Sequence, residues 1–112
     1  MKVVILGKGE MLSNLIEGTL SAECEIVGVF RYERTIIPDF LLKLRDFFKT
    51  SYDVTLIKEK KLPEIKCKSA NSEEFKNILI KLNADILLVG TWHEKLKKEI
   101  IDVPVIASVN VH

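Results

Sequence analysis

What the chain lacks narrows it first. It has two cysteines in 112 residues, Cys24 and Cys67. They form no CxxC pair and meet no histidine at ligand spacing, so no metal site is expected. Both fall in apolar stretches and read as small buried hydrophobes of a reducing, cytoplasmic protein. An excess of either charge is also missing. Against 17 basic residues stand 16 acidic ones, a net charge of +1. That balance supplies no broad field for nucleic acid or for an anionic membrane. No apolar run reaches the roughly 18 residues that a membrane helix needs. The opening "MKVVILGKGE" lacks the apolar length and the small-residue cleavage site of a signal peptide. Repeats and low-complexity linkers are absent. One small domain is expected.

What is present alternates between strand and helix. "KVVILG" (2–7) is a short β-branched run ending in glycine, the pattern of a strand buried on both faces. Met11, Leu12, Leu15, Ile16 and Leu20 then recur at helical spacing. "CEIVGVF" (24–30) is a second buried strand. Pro38 opens the next helix, on which Phe40, Leu41, Leu44, Phe47 and Phe48 form a broad apolar face. Between 52 and 71 the pattern suggests a strand near Val54–Ile57, a basic turn, and a short strand near Glu64–Cys67. Ser72 is an N-cap, with Glu73 and Glu74 in the positive first turn of another helix. "ADILLVG" (84–90) is the clearest buried strand, "HEKLKKEII" (93–101) a short charged helix, and "VIASVNV" (105–111) the last strand. Alternating apolar strands and helices imply a doubly wound α/β fold with a mostly parallel sheet of about five strands. Such sheets bind ligands beyond the carboxyl ends of their strands. That rule selects residues 7–10, 30–35, 90–93 and 110–112.

Each of these segments has a functional and a structural reading. "GKGEML" carries Leu12 where a dinucleotide fingerprint needs its last glycine, so the motif is incomplete. Its amides could still receive an anion, or could form only a tight turn. "RYERT" offers two arginines for phosphate or carboxylate, or a solvated loop. In "GTWHEK", Gly90 and Thr91 leave room for a ligand near the backbone. The single tryptophan, Trp92, either covers a flat heterocycle or caps the core. His93 is expected at the surface. Asn110 and His112 stand two apart on a strand and share a face. An amide and an imidazole together suit acyl transfer, although polar pairs also decorate strand ends.

The stretch "ADILLVGTWHEKLKKEIIDVPVIASVNVH" resembles the segment of the folate-dependent formyltransferase family that runs into its active-site motif. That family includes methionyl-tRNA, glycinamide ribonucleotide and sugar-amine formyltransferases. Asp85, Pro104, Asn110 and His112 match its order, with spacing most similar to the methionyl-tRNA type. "VVILGKG", "EIVGVF" and "LPEIKCKSANSEEF" resemble its earlier strands and loop. The resemblance implies a Rossmann-like fold and transfer of a formyl group from N10-formyltetrahydrofolate to a primary amine. That acceptor would be methionyl-tRNA, an amino sugar or glycinamide ribonucleotide. It also implies that Asn110 binds the formyl oxygen, that His112 assists proton movement or charge stabilisation, and that Leu88, Val89, Gly90, Thr91 and Trp92 line the pterin. The family's catalytic Asp lies downstream of this motif and matches no residue here. Residues 1–112 are therefore expected to be the N-terminal part of a catalytic domain, inactive without the missing C-terminal segment. The competing expectations are a small nucleotide-binding module and a structural fragment whose last strand a partner covers.

Overall fold

A computed structural model describes residues 1–111. The first strand, β1 (Lys2–Gly7), is followed by helix α1 (Gly9–Ser21), strand β2 (Glu25–Arg31) and a 3-10 turn at Tyr32–Thr35. Helices α2 (Asp39–Phe48), α3 (Tyr52–Glu59) and α4 (Glu73–Leu82) come next. Strand β3 (Ile86–Gly90), the short helix α5 (Lys98–Ile101) and strand β4 (Ala107–Val111) complete the order. The four strands form one parallel sheet in the order β2-β1-β3-β4. This is the expected α/β architecture. A fifth strand is reduced to a single parallel bridge between Val29 and Glu64 beside β2.

Both sheet faces are covered, which is why β1 and β3 are nearly continuous apolar runs. On one face Val3, Ile5, Ile26 and Val29 pack against Leu12 and Ile16 of α1 and Leu56 and Ile57 of α3. On the other, Val4, Leu6, Phe30, Leu87 and Val89 pack against Phe75 and Leu79 of α4 and Ile100. Ser72 accepts a hydrogen bond from the Phe75 amide, so the N-cap of α4 falls where the sequence puts it.

Three local expectations need correction. The Val54–Ile57 segment is not a strand but the middle of α3. Its buried residues Asp53, Val54, Leu56 and Ile57 repeat at helical spacing. Docking on α1 overrides their β-branched preference. The charged helix expected over 93–101 is helical only from Lys98 to Ile101. Ahead of it the Asn71 side chain accepts from the Lys97 amide (2.8 Å) and donates to the Lys95 carbonyl (2.9 Å), holding those residues as a loop. The helix after Pro38 is present, but its apolar face is not in the core. Phe40, Leu41, Leu44, Phe47 and Phe48 are all exposed, and α2 docks through Leu42 instead.

At the carboxyl edge of the sheet, β1 and β3 approach very closely. A Cβ on Gly7 would lie 2.5 Å from the Gly90 carbonyl oxygen, and one on Gly90 would lie 2.6 Å from Met11 Cγ. Gly7→Ala should therefore cost about 1–3 kcal/mol by overpacking against backbone, read as a lowered midpoint in urea unfolding. An unchanged midpoint would show that the two strands separate freely.

Candidate active site

The chain runs outward from β1 to β2 and then returns to place β3 on the other side of β1. Strand order thus reverses between β1 and β3, where their loops part and leave a crevice. The two loops are 7–9 and 90–92. Gly9 has a φ of 58°, which lets the turn enter α1. Thr91 also has a positive φ, 54°, a conformation that β-branched residues seldom adopt. Backbone strain of this kind costs on the order of 1–3 kcal/mol and concentrates at functional loops.

Because β3 leads into this loop, its residues divide between two cavities. Val89 and Trp92 line one of 220 Å³, together with Glu94, Leu96, Ser108 and Asn110. Thr91 lines another, larger one on the α1 side. The β3–β4 register sets Asn110 beside Val89, so the amide is brought to the same cavity as the indole. Leu88 packs into the core on the opposite sheet face. Gly90 is buried against α1. His112 lies outside the described residues.

Of its two sequence readings, the structure shows Trp92 capping the core, and it also places the ring on the cavity wall. Its ring sits edge-on to Phe30, with centroids 5.0 Å apart, and so closes the core while walling the cavity. His93 is exposed, as expected, and its ring packs edge-on to Tyr32 at 4.5 Å. Sequence reasoning missed Glu94. Its carboxylate accepts from the Trp92 indole N–H (3.3 Å), the Ala70 amide (2.9 Å) and the Ser69 hydroxyl. Burial opposes its ionisation, but the Ser69, Ala70 and Trp92 hydrogen bonds prevail and hold the carboxyl below its ordinary value. A glutamate in a charged run carries no sequence signal for this role.

The two arginines of "RYERT" recognise carboxylates within the chain. Arg31, at the carboxyl end of β2, is only 2% exposed. Its guanidinium donates to Asp46 of α2 (2.9 Å) and to Glu64 (2.6 Å). Arg34 donates to the same Glu64 oxygen (2.7 Å) and to Asp39. Burial disfavours the Glu64 carboxylate, yet hydrogen bonds from Arg34 and Arg31 outweigh it and lower its pKa. Cys67 is buried nearby, and desolvation with a neighbouring Glu74 pushes its thiol up to about 12. It is an inert core thiol, as the sequence suggests. Among the described residues no cluster of three or more histidine, cysteine or acidic side chains could hold a metal.

Four parallel strands, helices on both faces and a crevice where strand order reverses define a Rossmann-like α/β domain with its site at the carboxyl edge. Over all 112 residues the chain is 29% identical to the methionyl-tRNA formyltransferase of Pseudoalteromonas translucida (strain TAC 125). It spans 33% of the length of that relative. Its fold is similar to that of glycinamide ribonucleotide transformylase 1 from Symbiobacterium toebii, with a TM-score of 0.66 at 10% identity. That match covers the whole chain and 51% of the solved structure. No family model matches the chain. The resemblance to formyltransferases read from residues 84–112 is thus borne out along the full sequence.

Two outcomes follow from the geometry. Removing one partner of a buried ion pair costs about 3 kcal/mol, so Glu64→Gln should lower the melting temperature at neutral pH. Glu64 titrates lower in the folded state than its ordinary 4.5. The stability it contributes is therefore complete above that value and fades as pH falls through the folded pKa. The gap between wild type and variant should narrow in acid, and a gap constant with pH would exclude the assignment. Glu94→Ala should free the indole and shift tryptophan emission to the red, with a stability loss of about 1–3 kcal/mol. Unchanged emission would mean that Glu94 does not hold Trp92.

Proposed function

We propose that residues 1–112 are the N-terminal part of a formyltransferase catalytic domain, which transfers a formyl group from N10-formyltetrahydrofolate to a primary amine. One observation carries this reading: identity to a methionyl-tRNA formyltransferase extends over the whole chain. Asn110 lines a cavity beside the Val89–Trp92 segment, as that activity requires. The cavity, at 220 Å³, is smaller than the roughly 300–1,000 Å³ of complete small-molecule pockets. It fits part of a folate, the pterin against the backbone of Leu88, Val89, Gly90, Thr91 and Trp92.

In this reading the unprotonated amine attacks the formyl carbon and the carbonyl π pair moves to oxygen. Asn110 donates a hydrogen bond to that oxygen as it becomes negative. His112 relays the proton lost by the attacking nitrogen. The intermediate then collapses, the carbon–N10 bond breaks, and N10 of tetrahydrofolate takes up a proton. The family's third catalytic residue, an Asp, belongs to the part of such enzymes that this chain does not span. The site is completed, in this reading, by that further segment. In this reading methionyl-tRNA is the first acceptor to test, because the relative matched over the whole chain is a methionyl-tRNA formyltransferase, with an amino sugar and glycinamide ribonucleotide as alternatives. A cytoplasmic location fits a folate donor. Among the described residues no helix is long and apolar enough to cross a membrane.

A nucleotide-binding module is less well supported. Leu12 is fully buried where the dinucleotide fingerprint needs glycine. The cavity beside that turn also carries Glu10, Glu33 and Asp53 against Lys8 and Arg45, a poor setting for pyrophosphate.

In a protein extended past His112, Asn110→Ala and His112→Ala should each lower kcat by about 10²–10³ while leaving the melting temperature in place. Near-normal turnover in both variants would refute the site.

A further inference from the structure

Helix α2 turns its apolar side away from the protein. Its docking side is narrow and mostly ionic. Leu42 is its buried residue, and Asp46 and Asp39 on that side pair with Arg31 and Arg34. These anchors fix both ends of the helix. Leu44 follows two residues after Leu42, about 200° further round the helix, and so meets solvent. Phe40, Leu41, Phe47 and Phe48 gather around it at helical neighbour spacing. Leu44 is 56% exposed, Phe40 71%, Leu41 45%, and Phe47 and Phe48 77% each. Among the described residues, Phe47 and Phe48 find aromatic contact only in each other, edge-on at 5.2 Å. The five side chains leave roughly 600 Å² of apolar surface in water, at about 200 Å² for a whole phenylalanine. A patch of that size marks an interaction surface.

We propose that α2 is the contact surface of a homodimer, packed antiparallel against α2 of a second copy across a twofold axis at Leu44. The apolar residues lie symmetrically about Leu44, with Phe40 and Leu41 before it and Phe47 and Phe48 after it. Antiparallel pairing therefore sets Phe40 against the partner's Phe47, Leu41 against the partner's Phe48, and Leu44 against its own counterpart. That is the self-complementarity a twofold interface requires. The two faces together would bury about 1,200 Å², the lower bound for a specific, stable interface. The helix begins on Asp39 and carries Arg45 in its last turn, so antiparallel packing sets opposite charges and opposite dipole ends beside each other. An anionic lipid surface fits less well, because a net charge of +1 supplies little attraction to it. None of the five side chains lines the cavity that Asn110 shares with Trp92, so the dimer leaves that cavity open. The interface is independent of the formyl-transfer reading.

Light scattering after size-exclusion chromatography, over a dilution series, tests this. The concentrated chain should show twice the 12.8 kDa of one copy and fall to one copy on dilution. Leu44→Lys puts like charges on the twofold axis and should weaken association at least about a hundredfold. Phe47→Ala should weaken it about tenfold. Ile106→Lys, next to the exposed β4 edge, should leave it unchanged. Leu44 and Phe47 are exposed, so both variants should keep the circular dichroism and melting temperature of the wild type. If Leu44→Lys folds poorly, Phe47→Ala decides. A monomer at every concentration would overturn the interface, as would a dimer that persists in folded Leu44→Lys or is lost in Ile106→Lys. A protein extended past His112 should dimerise too, and a monomer there would give the face to the added segment. A monomer that sediments with phosphatidylglycerol vesicles would give it to lipid, and either result overturns the dimer.

Discussion

The buried guanidinium of Arg31 is the constraint on which the site end of the molecule depends. It sits at the last residue of β2, almost wholly out of water, and must be paired there. Asp46 reaches it from α2 and Glu64 from the segment that bridges to β2. Arg34 shares Glu64 and adds Asp39, so four segments between residues 31 and 64 are tied at one point. Little apolar contact could substitute, because the large residues of α2 other than Leu42 face solvent, Phe47 and Phe48 at 77% exposure each. Arginine is suited to this role by its planar fork of donors, which serves two carboxylates at once.

With that end fixed, the crevice follows from topology. The reversal of strand order parts the loops after β1 and β3, and the glycine pair Gly7 and Gly90 lets those strands close beneath it. The short loop 90–92 then serves as a shared wall. Thr91, in its strained conformation, faces the acidic cavity, and Trp92, anchored by Glu94, faces the cavity that Asn110 lines.

Much of this frame was legible in the residues. β1, β2 and β3 were readable because strands buried on both faces appear as unbroken apolar runs. Ser72 announced α4 because its cap is local chemistry. The segment 54–57 misled because β-branched residues at helical spacing satisfy both patterns, and only contact with α1 decides. The Arg31 network was invisible because its partners lie 15 and 33 residues away. Nor could the sequence show that Asp53 would be buried with an oxygen unpaired, since burial there arises from packing between helices. Asn110 was singled out by its spacing to His112, and the resemblance gave it a role. The β3–β4 register then set it beside Val89.

The central claim is that the loop after β3 and Asn110 form the formyl-donor side of a transfer site. A crystal structure of the protein extended past His112, soaked with 5-formyltetrahydrofolate, tests it most directly. The account predicts the pterin against the backbone of residues 88–92, with the Asn110 amide facing the folate nitrogens that carry formyl groups. A folate bound elsewhere, or none bound at saturating concentration, would contradict it.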